Sequence, residues 1–140
     1  MSTPSSVQYQ WLPGPAGEML RSSSLATTAR ISLGSASLIV TTGHVGIDLK
    51  TGQLVTNTIE AEFNAIFDCL DAALRNAGAA RGLLSAFKIV AYLTRAEDDV
   101  VLNQVFRKKY PGHTPTWTSV EVKGLVSPGA HAEVRADAIV

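Results

Sequence analysis

The last ten residues, "HAEVRADAIV" (His131–Val140), decide the fold class because small apolar and polar side chains alternate along them. Such alternation is typical of a β-strand with one buried face. The apolar face should pack against helices, and the polar face is left for an interface or a site. The apolar set is Ala132, Val134, Ala136, Ala138 and Val140, and the polar set is His131, Glu133, Arg135 and Asp137.

A second strand precedes this one in "HTPTWTSVEV" (His113–Val122), and the turn "VSPGA" connects the two. Its alternation puts Trp117, Ser119 and Glu121 on one face. A large indole that shares a face with a hydroxyl and a carboxylate indicates a covered edge, an interface or the wall of a binding site. We expect this strand to contribute to any site that the protein has.

Two helices and a strand are predicted upstream. In "NTIEAEFNAIFDCLDAALRNAGAA" the apolar residues recur every three or four positions, which predicts a helix capped by Asn57 with Glu60 and ended by Gly78. "LLSAFKIVAYL" (Leu83–Leu93) predicts a strand. "TRAEDDVVLNQVFRKKY" predicts a second helix, and Thr94 and Glu97 have the spacing of a capping box.

The sequence at the beginning of the chain predicts an arm followed by a hairpin. Residues 1–16 are rich in proline and serine and suggest an extended or loosely ordered arm, which leaves residues 17–140 as a single domain. "LATTARISLG" and "SASLIVTTGHVGID" predict two strands with a turn at Gly34–Ser37. The order β-β-α-β-α-β-β predicts an α+β sheet with both helices on one face.

Composition excludes several classes of function. Twelve acidic and twelve basic residues give a formal net charge of zero, so no global field favours nucleic acid or an anionic membrane. We find no secretory signal and no apolar run long enough to span a membrane, and we expect a cytoplasmic protein. One cysteine, Cys69, and three scattered histidines provide neither a disulfide framework nor a metal site, and no cofactor motif is evident.

The segments "GHVGIDLKTGQLV", "LDAALRNAGA", "KIVAYLT", "LNQVFRKKYPGHTPTWTSVEV" and "PGAHAEVRADAIV" together resemble the RidA/YjgF family, once described as L-PSP endoribonucleases. The resemblance runs from about Leu38 to the C-terminus. It implies a chorismate-mutase-like α+β fold that assembles as a homotrimer with three clefts between neighbouring subunits. In well-known members the clefts hydrolyse reactive enamines or imines to ketoacids and ammonia, without a cofactor.

The resemblance also assigns roles to individual residues. The family holds its substrate carboxylate with an arginine where this chain has Trp117, and an indole cannot replace the bidentate fork of a guanidinium. Glu133 matches the glutamate that positions or activates water, and Ser119 stands where many members have cysteine. The other matching positions near the cleft are Thr42, Gly43, Asn103 and His44, the last in place of the usual glutamine.

These residues support one leading hypothesis and two alternatives. The leading hypothesis is a non-standard family enzyme, either hydrolase/deaminase-like or isomerase/cyclase-like, with Glu133, His44 and Ser119 as catalytic candidates and Trp117 shaping an apolar pocket beside Glu133. The alternatives are a non-catalytic trimer that binds a small molecule and an RNA-directed inhibitor of translation. A serine-histidine-acid triad receives little support because no nucleophile elbow surrounds Ser119.

Overall fold

The computed structural model describes residues 6–140, which form a six-stranded sheet and three α-helices. The strands are β1 (Val7–Gln10), β2 (Thr28–Leu33), β3 (Ala36–Thr41), β4 (Ala86–Leu93), β5 (Thr116–Glu121) and β6 (Ala132–Ile139). The helices are α1 (Pro15–Ser22), α2 (Ile59–Asn76) and α3 (Asp99–Lys109). The α+β class predicted from the sequence is confirmed.

The sheet has the order β1-β2-β3-β6-β4-β5. Strands β4 and β5 run parallel, and the other neighbouring strands run antiparallel. The C-terminal strand β6 therefore lies between β3 and β4, and β5 forms one edge. A two-residue connection between β2 and β3 matches the predicted hairpin, and Gly34 adopts the positive φ of 75° that such a tight turn favours.

Helices α2 and α3 cover one face of the sheet, and the alternation of β6 explains how. The side chains of β6 that face the helices are at most 1% exposed, and they are Ala132, Val134, Ala136 and Ala138. Because these side chains are small, the helices can approach the sheet closely. The large core side chains come mostly from the helices and from β4. They include Phe63, Ile66, Phe67, Leu70, Leu74, Ile89, Leu93, Leu102 and Phe106.

Between residues 6 and 140, no helix packs across the centre of the opposite face, which we call the open face. One row of cross-strand partners on it runs through all six strands, from Tyr9 through Ala29, Val40, Asp137 and Lys88 to Thr116. A second row joins Glu133, Tyr92 and Val120. Arg135 and Ile139 belong to the same face by alternation along β6.

The N-terminal region is more ordered than the sequence predicted. Val7–Gln10 forms the edge strand β1, and Pro15–Ser22 forms helix α1, so part of the predicted arm is regular structure. A proline at the first turn of α1 suits the helix because its fixed φ is already helical. Residues 1–5 of the predicted arm lie outside the described residues.

Three predicted boundaries differ from the structure. The cap of α2 is Thr58, whose Oγ1 accepts a hydrogen bond from the Ala61 amide at 3.0 Å, so the prediction of Asn57 is wrong by one residue. Leu83 lies in a 3-10 turn at Gly82–Ser85, and β4 begins only at Ala86. The predicted capping box of α3 is absent, since a 3-10 turn at Ala96–Asp98 precedes the helix.

Candidate active site

Glu133 and Gly43 are the two predicted site residues that line both a pocket and a groove near the end of β3. The Glu133 carboxylate lies against Gly43, just after β3, and a methyl group on Gly43 would collide with Oε2 of Glu133. A pocket of about 120 Å³ on one side is lined by Glu133, His44 and residues of α1. A groove of about 350 Å³ on the other side is lined by Glu133, Arg135 and Tyr92. Glycine at position 43 therefore lets the carboxylate reach two cavities.

His44 is buried next to this carboxylate. Its backbone pairs with Val134 of β6, and its Nδ1 lies 2.9 Å from the carbonyl oxygen of Thr42. A carbonyl can only accept, so Nδ1 carries the proton and Nε2 is an acceptor. Burial lowers the pKa of His44 and keeps the ring neutral. Within residues 6–140, Nε2 is buried and has no hydrogen-bond partner.

Trp117 lies on the helix-covered face, not beside Glu133. Its cross-strand neighbour is Ile89, whose own partner on β6 is the buried Ala136, and its ring contacts Phe67 and Phe106 at centroid distances of 6.2 and 5.1 Å. The expectation that this indole shapes the surroundings of Glu133 is therefore wrong within one chain. The physical reason is that β5 adds to the edge of β4 with its odd-numbered residues toward the helices.

Ser119 is tied to a carboxylate that the sequence analysis did not select. The Trp117 Nε1–H donates to Ser119 Oγ at 2.8 Å, and the Ser119 hydroxyl donates to Asp99 Oδ1 at 2.5 Å. Asn103 follows Asp99 by one turn of α3 and therefore shares its side of the helix. The sequence pattern did not single out Asp99, because it predicted a helix capped at Thr94, whereas α3 begins at Asp99.

The predicted site residues thus form two clusters. The open-face cluster contains Thr42, Gly43 and Glu133, and His44 is next to it in the chain but pairs with the buried Val134. The helix-face cluster contains Asn103, Trp117 and Ser119, together with Asp99. Among residues 6–140, Ser119 bonds to Trp117 and Asp99, and the His44 ring bonds to the Thr42 carbonyl, so these residues form no serine-histidine-acid triad within one chain.

A hydrogen-bonded pair, Glu62 and His131, lies at the start of β6. Glu62 is 2% exposed, and its two carboxylate oxygens accept from the His131 amide and from His131 Nδ1, each at 2.8 Å. Neither residue belongs to either cluster. The pair connects the first turn of α2 to the end of the sheet, and its buried position indicates a structural role. Sequence periodicity alone could not pair residues 69 positions apart.

The described residues contain no group of three or more His, Cys, Asp or Glu side chains that could hold a metal ion. The thiol of Cys69 is buried in α2 and donates to the Ile47 carbonyl at 3.3 Å. Burial raises the pKa of Cys69 to about 11. Between residues 6 and 140, no helix is long and apolar enough to cross a membrane.

A family model described as Endoribonuclease L-PSP matches residues 24–140, which include both clusters. The chain belongs to the RidA/YjgF family. A RutC family protein from Pyrococcus abyssi is 28% identical over 89 residues, which cover 64% of this chain and 68% of that protein.

Solved structures of RidA/YjgF proteins share the fold. RidA from an Antarctic Psychrobacter species has a TM-score of 0.74 at 21% identity, covering 98% of this chain and 100% of its own. A YjgF/YER057c/UK114 family member from Mycobacterium tuberculosis has a TM-score of 0.77 at 23% identity, covering 96% and 100%. The fold of the chain is therefore that of the family.

The match to the RidA/YjgF model begins after α1, which ends at Ser22. Residues Ala16, Met19 and Leu20 of α1 nevertheless line the 120 Å³ pocket beside His44 and Glu133. One wall of this pocket is therefore built by residues outside the matched region. Arg135 is a further residue that the sequence analysis placed on the face of Glu133 but did not assign to the site.

Proposed function

We propose that this chain is a cofactor-independent enzyme that uses Glu133 as a general acid/base on a small carbonyl, imine or enamine metabolite. The observation that carries the proposal is the position of the Glu133 carboxylate, which lies over Gly43 and forms a wall of two cavities. A carboxylate that is half-buried and borders a cavity can exchange protons with a bound molecule. The RidA/YjgF resemblance assigns to Glu133 the positioning or activation of water, and this supports the proposal.

The reacting clefts lie between subunits of a homotrimer in this proposal. The open-face cluster and the helix-face cluster are on opposite sides of one sheet, so a site that uses both requires two copies of the chain. Glu133 of one copy would then meet Trp117, Ser119 and Asp99 of the next. Each cleft would combine an acid/base with a hydroxyl and an indole.

A hydrolytic reaction balances with these groups. Glu133 accepts a proton from water while the water oxygen bonds to the imine carbon, and the carboxylic acid then returns that proton to the nitrogen. In the carbinolamine formed in this way, Glu133 accepts the hydroxyl proton and delivers it to the nitrogen, and the carbon–nitrogen bond breaks as the carbonyl forms, so an imine and water give a ketone or aldehyde and an amine or ammonia. His44 lines the 120 Å³ pocket with Glu133, and burial lowers the pKa of His44, which disfavours a positive charge there.

The test begins with the metabolite that co-purifies with the native protein, identified by mass spectrometry after denaturation. Turnover of that metabolite, and of freshly generated imines, is then compared between the wild type and Glu133→Gln. The variant keeps the shape and most of the hydrogen bonding but loses the titrating group. We expect kcat to fall by about 10²- to 10⁴-fold with little change in ligand affinity.

Glu60→Gln is the matched control, because Glu60 is an exposed carboxylate in the first turn of α2. It should leave kcat unchanged. Assembly of each variant is checked by sedimentation, since loss of the trimer would imitate loss of catalysis. An intact Glu133→Gln protein with full turnover would contradict the proposal, and a bound metabolite with no turnover in the wild type would favour a binding protein.

A further inference from the structure

The Glu62–His131 pair joins α2 to β6, and it also holds the imidazole ring of His131 in one orientation. Glu62 is 2% exposed, and its carboxylate accepts from the His131 amide and from Nδ1 of the ring, each at 2.8 Å. A carboxylate accepts hydrogen bonds, so Nδ1 carries a proton and the neutral ring presents Nε2 as an acceptor. An acid that fixes a histidine in this way is the orienting half of a hydrolytic triad.

The backbone around this pair is also fixed. The His131 carbonyl oxygen accepts from the Thr94 amide at 3.0 Å and from the Thr94 hydroxyl at 3.4 Å. Gly46 packs against Glu62 so closely that a methyl group on Gly46 would collide with the Glu62 backbone. The histidine and its acid therefore have little freedom to separate, and a preorganised proton acceptor requires such support.

The other ring nitrogen of His131 is available to a ligand. Within residues 6–140, Nε2 forms no hydrogen bond, and the side chain is 42% exposed. A cavity of about 300 Å³, at the lower end of the usual range of roughly 300–1,000 Å³ for small-molecule pockets, adjoins it. The residues that line this cavity are Thr56, Thr58, Ile59, Glu62 and His131. None of them lines either cavity beside Glu133.

The lining of this cavity favours an uncharged ligand. None of its lining residues is a lysine or an arginine, so an anion would meet the Glu62 carboxylate without a fixed counter-charge. Thr58 Oγ1 accepts from the Ala61 amide at 3.0 Å, which leaves its hydrogen for an oxygen of the ligand. A proton acceptor and a hydroxyl donor on one small cavity suit a neutral carbonyl compound.

We propose that Glu62 and His131 form a second catalytic site, which hydrolyses uncharged esters of small acids by general-base catalysis. Nε2 accepts a proton from water while the water oxygen bonds to the carbonyl carbon, and Glu62 stabilises the positively charged ring. Nε2 then returns the proton to the alcohol oxygen as the carbon–oxygen bond breaks. An ester and water give a carboxylic acid and an alcohol, with no further reactant. This site is separate from the proposed reaction at Glu133.

The test is hydrolysis of p-nitrophenyl acetate, an uncharged activated ester whose product is followed by absorbance. We expect His131→Gln to lower kcat/KM by about 100-fold or more, because it removes the base. Glu62→Gln should lower kcat by roughly 10-fold or more with a smaller change in KM, because the charged ring loses its counter-ion. His113→Gln is the matched control, since the His113 ring bonds through Nε2 to the uncharged Ala86 carbonyl at 2.9 Å, and it should keep the wild-type rate.

Circular dichroism and sedimentation check that each variant is folded and assembled. If the buried substitution Glu62→Gln prevents folding, His131→Gln decides, because that side chain is partly exposed. The proposal is overturned if the wild type is no faster than an equal concentration of free imidazole, or if folded His131→Gln keeps the wild-type rate. It is also overturned if folded Glu62→Gln keeps that rate, or if His113→Gln loses as much activity as His131→Gln. An acetyl group found on His131 by mass spectrometry during turnover would reject the general-base step.

Discussion

His44 is a histidine whose protonation opposes folding. The folded chain buries its ring and leaves Nε2 without a protein partner, so the charged form is disfavoured and the pKa of His44 falls below its ordinary value of 6.5. In the unfolded chain the same ring is solvated and accepts a proton near pH 6.5. The unfolded state therefore binds more protons than the folded state between these two pKa values.

The sign of the pH dependence follows from linkage. The contribution of His44 to stability is fully present above pH 6.5 and is lost as the pH falls toward its folded pKa, with a slope of at most about 1.4 kcal/mol per pH unit. Urea unfolding measured from pH 8 to pH 5 should show this loss. His44→Gln should remove that part of the slope. Equal slopes for wild type and His44→Gln would refute the assignment.

The sequence predicted which candidate site residues share a strand face but not which residues surround them. Alternation correctly grouped Trp117 with Ser119 and Glu133 with Arg135. It could not say which face of β5 turns toward the helices, because that depends on how an edge strand pairs with β4. The contact between Ser119 and Asp99 joins residues 20 positions apart. It could not be predicted without knowing that α3 begins at Asp99.

At the scale of elements, helix α2 shows which of two neighbouring residues caps its N-terminus. Asn57 and Thr58 are both good capping residues, and only backbone geometry decides between them. Thr58 adopts the extended conformation of a cap, with φ of −149° and ψ of 160°, while Ile59 begins the buried stripe. The periodic pattern therefore predicted the helix well, but its first residue only to within one position.

The two residues provide a matched pair for measurement. Thr58→Ala removes the acceptor of the Ala61 amide and should lower the free energy of unfolding by about 1 kcal/mol, within a range of roughly 0.5–2 kcal/mol. Asn57→Ala should change it by less than about 0.5 kcal/mol, because Asn57 is exposed and lies outside the helix. Denaturant unfolding monitored by circular dichroism measures both. A larger effect at Asn57 than at Thr58 would contradict the cap assignment.

At the scale of the whole molecule, the open face carries large exposed apolar side chains beside the polar residues of β6. Tyr9, Val120 and Ile139 are 61%, 42% and 49% exposed on it, at the outer strands and beside the polar side chains of β6. An exposed sheet face with large apolar side chains usually marks a contact with another chain. The family resemblance predicts that the partner is a second and third copy of this chain.

Assembly can be tested with one pair of variants. The wild type should sediment at three times the 14.8 kDa of one chain at micromolar concentration. Val120→Asp places a charge on the open face and should shift the protein toward the monomer. Val100→Asp, at an exposed site on α3, should leave the trimer intact. A wild type that sediments as a monomer, or two variants with the same effect, would reject the open face as the interface.

The buried thiol of Cys69 has a practical consequence. It is the only sulfhydryl in the chain, it is fully buried in α2, and its pKa is raised to about 11, so little thiolate forms at neutral pH. Maleimide dyes should therefore leave the native protein unlabelled. A cysteine introduced at an exposed position such as Val126 would then be the single attachment point for a fluorophore, beside the groove that Val126 helps to line. Ligand entry could be followed by fluorescence in a protein whose own cysteine need not be removed.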